Sequence, residues 1–522
     1  MKRNADFLSL AAELRSYILS FLPWQDVLRC SSVCKVLHLT YMSSSELQYI
    51  VELGGQRLLP VSSTDPDNVT SIAKRLQLLR DKAHAWFEFD KCSFRTVSIP
   101  ERFRYARRSI TGGHLCLWNE EGLAKIFPIL PKPSQQTIER DWSLRSSHSV
   151  PNAHAWDVFM DPAQNLIATA YATTHEHSDW QSHSDDANFY IGLTTLDVGG
   201  IHPQAAGPVL FLPGYENRGL AVFGWKLKVL GSHVAFQRSL VLRDRANTTY
   251  KDRWWLQIWD WQHSTTSNCI LDETVDMETD DSNDFCFLGS DRLLVLRNDL
   301  KLYSIEDVSQ APQLLARFLL PLSPINIFYT DDSIARSSAQ QMQIQQTMQT
   351  SDPQHRIICL SMTSPSTNSS FAFIISTNIF FNFDSVAEPI MWKNWGSSNV
   401  RVFRHRYPCN VGVSGNRVLL LFPDSEVVTL PNRLPTEYRL RMMDFSPLAA
   451  ERRQGLGRVV KEPSTVYIDE SGQSVMTSLP YVEVVSDKRI SYQSELPRPK
   501  IWVDSDRIIW LNDDRQLEVI EI

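Results

Sequence analysis

The chain has no run of about eighteen uncharged apolar residues, the length a membrane-crossing helix requires, so no such helix is expected. Its first nine residues mix charged and apolar side chains and lack a cationic start, a long apolar centre and a small-residue cleavage site; no secretory signal is expected. Cysteine is sparse. Cys30, Cys34, Cys92, Cys116, Cys269, Cys286, Cys359 and Cys409 are scattered and form no Cys-x-x-Cys pair, so they read as buried thiols of a reducing compartment, cytoplasm, nucleus or both. The sequons at Asn68, Asn247 and Asn368 are then coincidental. Glycine is low, at 20 of 522 residues, and no phosphate-cradling loop of the P-loop or Rossmann kind appears. Gly-x-Ser-x-Gly and His-Glu-x-x-His are absent too. An excess of positive charge is also missing. With 52 Lys and Arg against 59 Asp and Glu, the net charge of −7 argues against broad electrostatic binding of nucleic acid or anionic membrane.

The remaining polar clusters carry little chemistry. Arg102, Arg104, Arg107 and Arg108 read as a solvated face. His175, Glu176, His177, Asp179, His183 and Asp185 hold the right donor atoms for a metal but sit in a polar segment with nothing to fix their geometry. Cys30 and Cys34 lie four apart, yet the matching second pair is absent. No catalytic, metal-binding or cofactor-binding residue is assigned, and the chain reads as a non-enzyme.

What is present is the balance of a folded protein, 43% hydrophobic and 21% charged residues over a length that exceeds one ordinary core. Residues 8–53 hold three short helices' worth of apolar spacing. Leu10, Leu14, Ile18, Phe21 and Leu22 recur at intervals of three or four until Pro23 interrupts them. A second helix is expected from Asp26, with Val27, Leu28, Val33, Leu37, Cys30 and Cys34 on adjoining faces. Ser43 and Glu46 offer a capping box for a third, opened by Leu47, Ile50 and Val51. So small a unit cannot bury enough apolar surface alone, and its faces call for a partner.

This segment resembles the F-box. Glu13, Leu14, Ile18, Leu19, Leu22, Pro23, Asp26, Leu28, Val33, Cys34 and Lys35 match its pattern. Ala11 departs from it, where proline usually opens the first helix, and so does Leu37, where an aromatic is usual; the second change removes contact area. The resemblance implies a Skp-family adaptor as partner, with Leu10, Leu14, Ile18, Leu19, Leu22, Pro23, Leu28, Val33 and Cys34 docking it or holding the helices that do. Cullin and RING subunits would follow through the adaptor.

Beyond a loop expected at residues 58–68, Ile72, Leu76, Leu79, Ala83 and Trp86 step by three and four along a further helix. It resembles the helical link that follows the F-box in fungal F-box proteins and would act as a stiff spacer. From about residue 96 the period drops to near two, marking a second domain. One unit recurs there: an apolar strand, an acidic or glycine-containing turn, and a second alternating strand. It starts near His114, Phe285, Val413 and Trp502, in stretched form near Ala155 and His233, and once more near Arg356. Radial repetition is one of the few ways to hold so many antiparallel strands without long exposed edges. A β-sandwich array or a helical repeat is the alternative; the lack of heptad-like spacing after residue 100 disfavours the helical one. The last alternating run, Leu517, Val519 and Ile522, is expected to pair with a strand near residue 95 and close a ring.

The expected architecture is therefore an α+β multidomain chain: an F-box-like helical domain at 7–53, a helical linker at 54–94, and an irregular all-β propeller of six to eight blades at 95–522. Residues 172–188, 272–284 and 334–354 are expected as surface loops, the last two mobile. Trp254, Trp255, Trp259 and Trp261 are expected to pack between blades, with Trp254 on the opposite side of its strand from the others. The resemblance implies the substrate-recognition subunit of an SCF-type cullin-RING ubiquitin ligase, which would bind an as yet unknown protein substrate through the β domain. An F-box scaffold without ubiquitin transfer, and a propeller enzyme, are the rivals.

Overall fold

The computed structural model describes residues 7–61, 70–104, 106–119, 122–131, 137–143, 153–173, 188–212, 220–243, 250–276, 283–322, 349–364, 369–382, 388–405, 411–423, 437–452, 456–469, 472–491, 501–504, 506–512 and 515–522. Five of its seven α-helices precede the β domain: α1 (Ala12–Leu19), α2 (Trp24–Ser31), α3 (Lys35–Ser43), α4 (Ser45–Gly55) and α5 (Ile72–Phe87). The N-terminal unit thus has four short helices where the spacing suggested three. The expected second helix breaks at residues 32–34, where Cys34 turns extended (φ −155°) and starts α3. The cap of α4 is Ser44, whose hydroxyl accepts from Leu47 N, and not Ser43.

After α5 the chain forms seven sheets arranged as the blades of a propeller. Blades 1 to 4 are four-stranded meanders within residues 107–143, 153–211, 220–276 and 284–318. Three strands of blade 5 are described, within 357–405, and a hairpin from 464–477 lies against the last of them. Blade 6 (411–491) has five strands. Blade 7 joins Ile501–Val503, Arg507–Leu511 and Leu517–Glu521 to Phe94–Val97. Each of the seven sequence repeats falls in its own blade. The first strands of blades 1 to 4, 6 and 7 approach their neighbours and so surround the axis.

The ring closes where Phe94 to Val97 pair antiparallel with Ile520 to Leu517. Alternation along these strands sends Leu517 and Val519 into the core shared with blade 1 and Ile520 into that shared with blade 6. Similar apolar layers fill the other seams. Trp259 and Trp261 pack toward blade 2, Trp254 packs toward blade 4, and all are fully buried. Trp255 is buried beneath the Arg238 guanidinium. The four tryptophans are packing residues.

Three expected loops need correction. The acidic segment is partly strand: Cys269–Asp276 carries Asp272, paired with Arg253, and Glu273, held by Arg297 (2.8 Å) and Lys301 (2.7 Å). Residues 277–282 lie outside the described residues. So do 323–348 of the Gln-rich region, but Gln349–Ser351 forms a two-stranded sheet with Leu58–Pro60, itself expected as loop. The His-rich residues 174–187 are also outside the described set.

The helices are fixed to the propeller by a continuous set of contacts. One side of α4 gives Leu47 and Val51 to the core of the first helices; the other gives Tyr49 and Leu53 to a cluster with Leu76 and Leu79 of α5. Glu52, buried at this junction, accepts from Arg80 Nε (3.2 Å) and Gln56 Nε2 (3.2 Å), and Arg80 also reaches Gln48 (3.0 Å). At the end of α5, Trp86, Phe87 and Phe89 enter the core between blades 6 and 7. The last turn of α4 approaches the short helix α7 (Pro447–Arg452), reached through α6 (Trp392–Asn399) and blade 6. Glycine is required there: a Cβ on Gly54 would lie 2.1 Å from the Trp24 ring, and one on Gly55 only 2.7 Å from Leu448 Cβ.

Gly55→Ala should therefore destabilise the protein by about 1–3 kcal/mol through overpacking, although alanine is the better helix former by about 1 kcal/mol. Adding Leu448→Ala should recover part of the loss, as a double-mutant cycle by denaturant unfolding would read. A pH effect arises at the seam of blades 5 and 6, where burial, with Arg441 adding to it, pushes His405 down to about 4. The folded state then resists protonation that the unfolded chain accepts, so stability falls as pH drops from 6.5 toward 4, by up to about 3 kcal/mol. His405→Phe, which keeps a ring beside Phe422, should flatten that loss.

Candidate functional site: an exposed apolar face on the N-terminal helices

The first three helices have two apolar faces, and only one is buried. Leu19, Val27, Leu37 and Tyr41 meet Leu47 and Val51 in the core of the unit. On the outside, Leu14, Tyr17 and Ile18 of α1 are exposed, and Phe21 in the turn just beyond it keeps the i+7 spacing from Leu14 and is exposed too. Tyr17 is 61% exposed and Phe21 70%, and their rings meet edge to face at 4.9 Å. Val33, at the break between α2 and α3, is 74% exposed; Val36, Leu39 (66%) and Met42 continue the surface along α3.

Polar contacts hold α1 against α3 and against the segment that precedes α1. Arg15 Nε donates to Thr40 Oγ1 (3.2 Å), Arg15 Nη1 to Leu8 O (2.8 Å), and Ser16 Oγ to Ser44 Oγ (2.7 Å). These bonds occupy the polar side chains at the helix crossing. Apart from the Tyr17–Phe21 ring contact, the outward apolar side chains stay largely exposed. Single exposed apolar residues are ordinary; here eight lie on α1, on α3 and in the turns beside them.

The nine residues implied by the resemblance divide between surface and interior. Leu14, Ile18, Pro23 and Val33 are exposed, and Leu10 is half-buried. Leu19 is fully inside; Leu22, Leu28 and Cys34 are partly buried against the same core, where they hold the helices. Tyr17, Phe21, Val36, Leu39 and Met42 belong to the outward face and were missed. Their signal was present, since Tyr17 lies three residues from Leu14 and Leu39 lies three from both Val36 and Met42.

Elsewhere, acids on the innermost strands are engaged between blades. Asp157 is half-buried, and desolvation of its carboxylate raises it to about 6 although that carboxylate accepts from Leu227 N (3.0 Å) and Val158 N (3.0 Å). Burial also acts to raise Asp284, but Lys228 and Lys226, within 3.3 and 2.7 Å, bring it below the ordinary range. A cavity of about 450 Å³ opens at the seam of helices and propeller, with Arg57, His355, Asn416, Glu451 and Lys461 in its wall. Among the described residues, no group of three or more His, Cys, Asp or Glu is placed to hold a metal.

No protein-family model matches the chain, and no curated protein matches it. Among solved structures, Chaetomium thermophilum Sqt1 aligns over 79% of this chain and 80% of its own at 11% identity, with a TM-score of 0.35. The computationally designed Ika8 protein aligns over 80% and 95% at 10% identity (TM-score 0.31). The N-terminal domain of Nup159 aligns over 82% and 94% at 10% identity (TM-score 0.30). Likenesses this distant say nothing of function.

The two faces predict opposite mutational behaviour. Phe21→Asp and Leu39→Asp, on the outward face, should change stability by no more than about 0.5 kcal/mol and raise solubility. Leu19→Ala should cost about 2–4 kcal/mol. Thermal unfolding of the three variants would check the assignment.

Proposed function

We propose that the chain is a receptor whose N-terminal helices dock a Skp-family adaptor and whose propeller captures a protein, so that it serves as the substrate-recognition subunit of an SCF-type cullin-RING ubiquitin ligase. The observation that carries this reading is the outward apolar face of α1 and α3, on a segment whose sequence resembles the F-box. Apolar burial is the main driving force of association, and aromatic residues such as Tyr17 and Phe21 are the usual anchors of an interface. The firm attachment of α4 and α5 to blades 6 and 7 supports the reading as well, because transfer to a bound substrate depends on a fixed distance between the two binding sites. A propeller suits the capture of a polypeptide; fold alone does not name that polypeptide. The receptor itself performs no bond chemistry on this reading and acts by raising local concentration.

The test is binding of purified Skp-family adaptor to the intact chain and to the double variant Phe21→Asp, Leu39→Asp. Because both positions are exposed, the variant keeps its fold, and loss of binding reports the interface. The expected result is tight binding by the intact chain, reduced at least about a hundredfold in the variant. No binding by the intact chain would overturn the reading. Adaptor binding without ubiquitin transfer to any captured protein would favour the scaffold role.

A further inference from the structure

The propeller carries a second cavity, of about 260 Å³, whose lining includes Gly231, His233, Gln262, Ser290, Pro353 and Arg356. It lies beside the turns that join the first and second strands of blades 2, 3 and 4, with Pro353 and Arg356 entering from just ahead of the first described strand of blade 5. Gly231, in the left-handed region (φ +58°), has nothing within 4 Å of its missing Cβ, so bare backbone faces open space.

Arg356 is the unusual member. It is only 7% exposed, and Nη2 donates to Phe287 O, while Nε finds no hydrogen-bond partner among the described residues. Its backbone is pinned on both sides by Thr377: Arg356 N donates to Thr377 Oγ1 (3.1 Å), and Thr377 N donates to Arg356 O (2.9 Å). No carboxylate of the described residues pairs with this guanidinium. Asp352, four residues upstream, spends its carboxylate on Gln354 N (3.0 Å) and His355 Nδ1 (2.7 Å). His233 Nδ1 is likewise buried with no hydrogen-bond partner among the described residues, its ring alongside Phe287 at 6.3 Å. Burial lowers the proton affinity of His233, partly offset by Asp260, so the imidazole is neutral near pH 7.

A buried cation without a counter-ion is costly, by several kcal/mol, and is retained where an anion completes it. The cavity presents one positive charge, one neutral imidazole, and apolar contact from Leu230 and Pro353. That set matches a singly charged anion better than a doubly charged one. We propose that this cavity binds one carboxylate of a polypeptide ligand, with Arg356 as its charge partner and His233 completing the site. The inference names a chemical class for the captured protein and so rests on the reading of the propeller as the capturing domain.

The test is fluorescence anisotropy of the full-length protein with labelled pools of random eight-residue peptides. One pool lacks Asp and Glu and has a free C terminus; a second is the same with a C-terminal amide; a third is amidated but contains Asp and Glu; a fourth is amidated, acid-free and contains phosphoserine. Binding is expected from the first or third pool, which separates a terminal from a side-chain carboxylate, and not from the second. Arg356→Met should weaken it about tenfold or more, and Arg356→Lys should retain part of it. Ser290→Trp, at an exposed position on the rim, fills the cavity while leaving Arg356 in place and should cause a similar loss at unchanged thermal stability. Equal binding of all pools, binding of none, preference for phosphoserine, or wild-type binding by Arg356→Met would each overturn the proposal. Adaptor binding is measured on the same preparations. Adaptor bound with no peptide bound defeats the cavity proposal alone; peptide bound without adaptor defeats the receptor reading and leaves the cavity standing.

Discussion

The antiparallel pairing of Phe94 to Val97 with Ile520 to Leu517 is the constraint on which the rest of the molecule depends. It joins segments more than four hundred residues apart, so the ring cannot close until nearly the whole chain is in place, a late and slow step for a fold dominated by non-local contacts. It also follows α5 by only a few residues. Closing the ring therefore anchors the helices: Phe89 enters the core of blades 6 and 7, Asp90 bonds Ser486, and Lys488 Nζ reaches Cys92 O (2.7 Å).

From that anchor the order runs outward through α4, whose buried positions are divided among its neighbours. Leu47 and Val51 serve the terminal helices, Tyr49 and Leu53 serve α5, and Gly54 and Gly55 allow Trp24 and Leu448 to approach. With α4 consumed in this way, α1 and α3 have only one buried side. Eight apolar residues are left facing solvent, an arrangement that selection for stability alone does not produce and that a binding partner would make favourable.

Much of this was legible in the sequence because period-two alternation survives long insertions. Each repeat start, from His114 to Trp502, falls in its own blade, and the closing strand follows from the run Leu517, Val519 and Ile522, although Ile522 lies past the strand end and packs on the opposite side from the other two. The helix stripe was harder to read. Leu14, Ile18 and Leu22 look like a core face by spacing, yet the core takes Leu19 and the surface takes Leu14 and Ile18, because short helices that share a partner expose the very residues that periodicity flags as buried. Leu58–Pro60 looked like loop since its pairing strand, Gln349–Ser351, lies almost three hundred residues away in a polar region. No local signal carries such a pairing. The Arg356 cavity is likewise a product of tertiary burial: an arginine ahead of a strand is ordinary until it is buried with no counter-ion among the described residues.

The most direct measurement is hydrogen–deuterium exchange of the full-length protein with and without purified Skp-family adaptor. Protection confined to residues 12–43, with the blades unchanged, is the expected result. Unaltered exchange in the helices, or protection appearing on the propeller instead, would contradict the assignment of the apolar face as the docking surface.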